Sequence, residues 1–384
     1  MTDSESSGQL LKRTRAQRSA REPSPRPASL SSLSEWLLYH TLSFVDETDD
    51  VRCRGISQRW ARLRRAWVLG SNPLRAVSSV AFSCDGAHLA VGTEDDVLTI
   101  HDAATGEPRR SLLRSGWVSC LAFSPTDSTV LVAGGSRDLI AYNTATGNSR
   151  ELWRTADSNF GAVKSVAVSP VGTTIAFCHD RMAAVIDIGG YDPTRVLFTP
   201  ARVLAQDPDG HVAGVAFSAT GAVLAVGVGT KIKCFDVATG QTGRVLTEIE
   251  LGFRVWTVAY LPGGTVAGGG YKVLAFYDAS NGQLLREITS SRPAFGKTCF
   301  SRDGSMVAAQ NSNYKTISIL DAETGEVRHD IKRKNFIGAA AFSPDGKSLA
   351  IGDLDGRVAL YDVATGSRRR MQRQPQASPA APTA

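Results

Sequence analysis

Residues 337–366 read IGAAAFSPDGKSLAIGDLDGRVALYDVATG. An apolar run ends at Phe342-Ser343 and meets the polar turn Pro344-Asp345-Gly346. A second run of small and apolar residues, SLAIG, follows, and a third ends at Asp362. Short apolar runs bounded by such turn residues read as β-strands. Asp362 opens a D-x-x-T-G turn that closes at Gly366. Asp starts a turn of this kind by accepting bonds from the backbone amides ahead of it, and Gly supplies the positive φ that completes it.

Working outward, the same unit recurs six more times. Its first strand is VSSVAFS (77–83), VSCLAFS (118–124), VKSVAVS (163–169), VAGVAFS (212–218), VWTVAYL (255–261) and GKTCFS (296–301). The residues before the final Ser or Leu are Phe82, Phe123, Val168, Phe217, Tyr260, Phe300 and Phe342, at steps of 41, 45, 49, 43, 40 and 42 residues. HLAVG, TIAFC and VLAVG match SLAIG, and the third strands end at Asp102, Asn143, Asp187, Asp236, Asp278 and Asp321. A polar fourth strand is expected after each turn, such as Glu107–Leu113 or Gln283–Ile288. Seven units of four short strands predict a mainly β fold, a seven-bladed β-propeller of four-stranded antiparallel blades over 77–366. The 49-residue step predicts an insertion around Gly189–Asp209.

These repeats resemble the WD-repeat family. The family's Trp-Asp is replaced here by His-Asp, Tyr-Asn, Ile-Asp, Phe-Asp, Tyr-Asp, Leu-Asp and Tyr-Asp, and Gly-His survives only at Gly210-His211. The buried His–Asp network that the resemblance implies is therefore mostly missing, and the blades are expected to rely on packing and turns. The last blade needs an outer strand from Trp67–Ser71 or from Arg368–Gln374. The N-terminal segment is the expected donor, since it would clasp the ring.

The 384 residues carry a net charge of +6. Residues 1–76 hold 13 Lys/Arg against 8 Asp/Glu and residues 367–384 hold four Arg and no acid, which leaves 26 against 29, or −3, for 77–366. The basic excess belongs to the ends, so the body does not read as a nucleic-acid binder. No stretch approaches the roughly 18 apolar residues of a membrane span. Cys53, Cys84, Cys120, Cys178, Cys234 and Cys299 are scattered, with no CxxC pair, which predicts a reduced cytoplasmic or nuclear compartment and no zinc cluster. Residues 1–28 and 367–384 read as a disordered basic arm and tail, and 68–76 as a short linker or clasp strand.

Residues 29–67 differ in kind. Leu33, Leu37, Thr41 and Phe44 fall on one helix face, and Ile56, Trp60, Leu63 and Trp67 on another, with the acidic start of a short helix at Asp46–Val51 between them. The stretch LSEWLLYHTLSFVDETDDVRCRGISQRW (33–60) resembles an F-box, so that a small three-helix F-box-like module is expected before the propeller. Ser34 departs from the usual Pro, Trp36 from Glu, Thr41 from Ile and Gly55 from an apolar residue. The resemblance implies a substrate-receptor subunit of a Skp-cullin-F-box ubiquitin ligase. Leu33, Leu37, Ile56 and Trp60 would then bind a Skp-type adaptor, which brings the cullin. The alternative is a non-catalytic WD-repeat scaffold whose N-terminal helices only cap the ring.

Catalytic motifs are absent: Gly296-Lys297-Thr298 lacks the upstream Gly of a P-loop, and Gly227-Val228-Gly229 opens no helix. No enzyme activity, cofactor or metal is expected. Function therefore falls to surface. In a propeller the loops leading into the innermost strands share one rim with the turns joining second and third strands. Here that rim collects Arg75, Arg114, Trp117, Arg137, Arg181, Arg254, Lys272, Arg292, Phe295, Arg333 and Phe336. Arg forks bind carboxylate or phosphate and aromatics supply anchors, so an acidic or phosphorylated protein target is expected. Trp256, on an inner strand, is expected in the core.

Overall fold

The computed structural model describes residues 76–369 except 96, 115, 156–161, 180, 189–200, 208–210, 238–243 and 291–292. Residues 29–67, read above as a helical module, and those read as the linker before residue 76, the basic arm and the end of the tail lie outside the described residues. Leu33, Leu37, Ile56, Trp60, Arg75 and Arg292 lie outside them too.

Blade 1 comprises β1 (Val77–Phe82), β2 (His88–Thr93), β3 (Val97–Asp102) and β4 (Pro108–Leu113). Blade 2 holds β5 (Val118–Phe123), β6 (Val130–Gly135), β7 (Asp138–Asn143) and β8 (Ser149–Arg154). Blade 3 holds β9 (Ser165–Val168), β10 (Thr174–His179), β11 (Met182–Asp187) and β12 (Arg202–Gln206). Blade 4 is β13 (Val212–Phe217), β14 (Val223–Val228), β15 (Lys231–Asp236) and β16 (Val245–Glu250). Blade 5 is β17 (Thr257–Leu261), β18 (Thr265–Gly269), β19 (Val273–Asp278) and β20 (Leu284–Thr289). Blade 6 is β21 (Pro293–Phe300), β22 (Met306–Asn311), β23 (Thr316–Asp321) and β24 (Val327–Lys332). Blade 7 has β25 (Ile337–Phe342), β26 (Ser348–Asp353) and β27 (Val358–Asp362). Each blade is an antiparallel meander, and β25 packs on β1 to close a ring of seven.

The turns form as their residues require. Ser83, Ser169, Ser218, Ser301 and Ser343 are buried, and each Oγ accepts the N–H that starts the next strand, at 2.9–3.1 Å. In the D-x-x-T-G turn of blade 1, Asp102 accepts Ala104 N–H at 3.0 Å and Thr105 N–H at 2.9 Å, while Gly106 sits at φ 75°. Asn143 makes the same two bonds without a charge.

The core lies between blades. Leu98, Ile100 and Leu112 of blade 1 pack with Val118, Leu131 and Tyr142 of blade 2. Second strands such as β6, β10 and β26 are buried along their whole length because blade faces cover both sides. Outer strands β16, β20 and β24 bury one residue each, Ile249, Ile288 and Ile331, which explains their polar sequences.

The described part of blade 7's outer edge is taken by the C-terminal segment, while the expected donor, Trp67–Ser71, lies outside the described residues. Tyr361 bridges Arg368, and Arg369 N–H donates to Leu360 O at 2.8 Å. The C-terminal segment therefore begins the fourth strand, as a continuation of the meander through the tight Asp362–Gly366 turn.

Candidate interaction face

One face is assembled by backbone bonds between blades. The N–H groups of Val163, Val255 and Ile337, each leading into an inner strand, donate to Gly135, Gly229 and Tyr314 of the preceding blade's second turn, at 2.8–2.9 Å. These bonds draw the lead-in segments and the second-to-third-strand turns onto one rim.

Several residues expected on that rim are consumed inside the fold. Arg114 is buried, donating to Ala133 O at 3.0 Å and pairing with the buried Asp138 carboxylate. Arg333 forks onto Asp353 at 2.8 and 2.5 Å, and its third nitrogen donates to Tyr361 Oη at 2.9 Å. Its side chain is only 9% exposed, too little to serve a partner. Phe295 is fully buried among Leu274, Phe276 and Val307. These three are structural. The two Arg–Asp pairs each fasten one blade's outer strand to the next blade, a task left open by the missing His–Asp network.

The remaining described candidates are exposed. Trp117, Arg137, Arg181, Arg254, Lys272 and Phe336 all present side chains to solvent, and Arg254 donates to His211 Nδ1. Trp256 is 41% exposed rather than core, with its ring 6.1 Å from that of Tyr271. Tyr314 and Phe336 make a second edge-to-face pair at 6.4 Å. Among the described residues, every aromatic that is strongly exposed (Trp117, Trp256, Tyr271, Tyr314 and Phe336) belongs to this one face. The exposed aliphatics lie elsewhere, chiefly on outer strands, at Val203, Val245, Leu246, Leu284, Leu285 and Val327.

The backbone of this face is strained at two points. Lys272 and Tyr314 hold φ of 64° and 57°, the only left-handed non-glycine residues described. The corresponding turn of blade 4 uses Gly229 at φ 60°. A bulky side chain in that region costs stability that a glycine there would not. Lys297 donates from Nζ to Gly338 O at 2.9 Å, and surrounding protein pushes its ammonium below the usual lysine range. It sits in a strand and makes no phosphate loop. Burial pushes the Cys120 and Cys299 thiols up to about 12, so neither is a nucleophile at neutral pH.

Comparison with known proteins follows this geometry. The family model for the WD domain, G-beta repeat, matches residues 68–102 and 106–141. A second model, described as outer membrane protein assembly factor BamB, matches residues 228–381. No F-box model matches the chain. Protein tipD of Dictyostelium discoideum is 23% identical over 294 residues, 75% of this chain and 40% of its own length. The WD repeat-containing protein VIP3 of Arabidopsis thaliana is 28% identical over 199 residues, 50% of this chain and 52% of its own. The human echinoderm microtubule-associated protein-like 3 is 23% identical over 257 residues, 65% of this chain and 28% of its own. The chain thus spans about half or less of the length of these relatives. It carries WD40 repeats and folds as a WD-repeat propeller.

Proposed function

We propose that this chain is a protein-interaction scaffold whose propeller presents one aromatic, basic face to a protein partner. The observation that carries this reading is the collection on a single rim of all five aromatics that are strongly exposed among the described residues. Exposed aromatics with free cations beside them are the compositional mark of an interface. The test is capture of partners from cell extract by the full chain beside two variants. One is Trp117→Ala with Arg137→Glu and Arg181→Glu, and the other is Tyr271→Ala with Phe336→Ala. Loss of captured proteins with either folded variant supports the reading, and identical capture by all three chains overturns it.

A finer reading rests on the segment 33–60, whose spacing follows the F-box pattern without a gap. In it the scaffold is the substrate receptor of a Skp-cullin-F-box ubiquitin ligase, and the rim holds the target near the conjugating enzyme. Such a receptor makes no bond itself and acts by raising the target's local concentration. Leu37→Ala with Trp60→Ala would then lose a Skp-type adaptor and a cullin while keeping rim partners. Recovery of neither from the unsubstituted chain returns the segment to a cap. The five described cysteines form no disulfide, which fits a cytoplasmic or nuclear site of action.

A further inference from the structure

Resting on that reading of the face, we infer that its partner is an extended acidic segment with two apolar anchors. Two aromatic–lysine clusters on blades 5 to 7 grip it. The first cluster is Trp256 with Tyr271, with Lys272 Nζ 5.2 Å from the Tyr271 ring. The second is Tyr314 with Phe336, with Lys315 Nζ 5.0 Å from the Phe336 ring. Each offers two exposed rings in an edge-to-face arrangement, their planes at 62° and 68°, and a cation beside them. An apolar side chain flanked by a carboxylate satisfies both parts at once.

Charge separates these blades from their neighbours. On blade 4, Lys231 and Lys233 are paired with Glu248 and Glu250. Lys272, Lys315, Lys332 and Lys334 are exposed and make no ion pair among the described residues. Four uncompensated ammonium groups beside two aromatic pairs are complementary to a row of carboxylates.

The same inventory argues against a phosphopeptide. Bidentate recognition of a phosphate calls for arginine forks, whereas lysine is a point charge on a flexible stem. Of the rim's described arginines, Arg114 and Arg333 are spent on Asp138 and Asp353 and Arg254 donates to His211, while the exposed Arg137 and Arg181 belong to blades 2 and 3, outside the two clusters. Spread lysines suit charge distributed along a segment rather than concentrated on one dianion. A nucleic acid would offer stacking and phosphates, but residues 77–366 are net negative at −3. Strain supports the placement, since both left-handed non-glycine residues, Lys272 and Tyr314, lie in these two clusters.

The test uses the full chain and four fluorescein-labelled probes in an anisotropy titration. These are a poly-Glu peptide interrupted by two Leu-Phe pairs, the same peptide with Gly-Ser pairs, a phosphoserine peptide of equal charge, and oligo-uridylate. The first probe is expected to bind about 10-fold tighter than the second, the energy of one modest anchor pair. Lys272→Ala with Lys315→Ala is expected to weaken it about 10-fold, and more at low salt than at high. Tyr271→Ala with Phe336→Ala should reduce the first probe to the level of the second. Tighter binding of the phosphoserine peptide or of oligo-uridylate overturns the inference, as does equal binding of the first two probes. In the extract capture described above, partners lost only from the Trp117, Arg137 and Arg181 variant would leave the interaction face standing and remove this assignment.

Discussion

Arg333 meets Asp353 and Tyr361 with little solvent access, and the buried Arg114 meets Asp138 in the corresponding lead-in segment five blades around. Desolvating two charges costs several kcal/mol each, and the fork geometry offsets it only while both partners remain. Asp353→Ala should therefore destabilise the fold by about 3–5 kcal/mol, measured by urea unfolding, because it strands a buried guanidinium. The paired change Arg333→Met with Asp353→Leu should cost much less, and an equal cost would refute the argument. The sequence places both arginines after an outer strand but does not say where they point. Their acids lie 24 and 20 residues on, one opening a third strand and the other ending a second, so no fixed spacing flags the pairs. Trp256 escaped for a related reason: it reads as part of the inner strand and so as core, yet blade 5's inner strand starts only at Thr257. Tyr314 gives the opposite trade between stability and surface. A left-handed conformation costs a side chain about 1–2 kcal/mol that glycine avoids, against about 0.5–1 kcal/mol of glycine's extra unfolded-state entropy. Tyr314→Gly should thus leave stability unchanged or raise it by up to about 1.5 kcal/mol, while Tyr314→Val, β-branched at the same φ, should lower it. A fall on Tyr314→Gly in thermal unfolding would mean that the ring itself holds the turn.

At the scale of the element, the turns were the most legible part of the chain because their chemistry is local. A Ser that accepts the next strand's first N–H, and an Asp that accepts two amides of its own turn, need no tertiary partner to be recognised. The strand repeats followed from them, and the outer strands were faint because each buries a single isoleucine. The turn carboxylates also predict an acid response. The amides of Thr324 and Glu323, with the Arg328 guanidinium, hold the Asp321 carboxyl down to about 2. The Arg109 guanidinium and the Thr105 amide hold Asp102 well below the usual carboxylate range. A carboxyl whose folded pKa is depressed adds stability above its unfolded value, and that stability is lost as pH falls through the folded one. For these turns the window runs from about pH 4 down to about pH 2. Blade 2 is the internal control, since Asn143 makes the same turn with nothing to protonate. Amide hydrogen exchange on lowering pH through this window should deprotect Ala104, Thr105, Glu323 and Thr324 before Ala145 and Thr146. Simultaneous loss in all three turns would show that the carboxylates are not its cause.

For the whole molecule the question is what keeps a closed ring closed. Adjacent blades fit by a repeated exchange of volume: a Cβ added at Gly92, Gly134, Gly227 or Gly352 would collide with Val118, Val163, Val255 or Val77, each opening or leading into the next inner strand. Blade 6 replaces the glycine by Gln310, whose amide donates to Ile337 O at 2.8 Å instead. The seam between blades 7 and 1 adds a closer approach, because a Cβ on Gly338 would lie well inside contact distance of the Val77 carbonyl oxygen. Backbone cannot yield as a side chain can. The outer edge of blade 7 is held within the same blade by Tyr361–Arg368 and Arg369–Leu360, so no described strand is exchanged across the seam. Among the described residues, packing joins the two blades there, through Val77, Val80 and Leu89 against Ala350 and Leu360. In a ring of repeats each blade is stabilised chiefly by its two neighbours, so weakening one interface need not melt the rest. Gly338→Ala should cost about 1–3 kcal/mol as an overpacking change, and its effect should be local. Hydrogen exchange is expected to rise in β1 and β25 while β13 and β17, on the far side of the ring, keep their protection. A uniform rise around all seven blades would mean that the ring unfolds as one unit and that the seam is no weaker than any other joint.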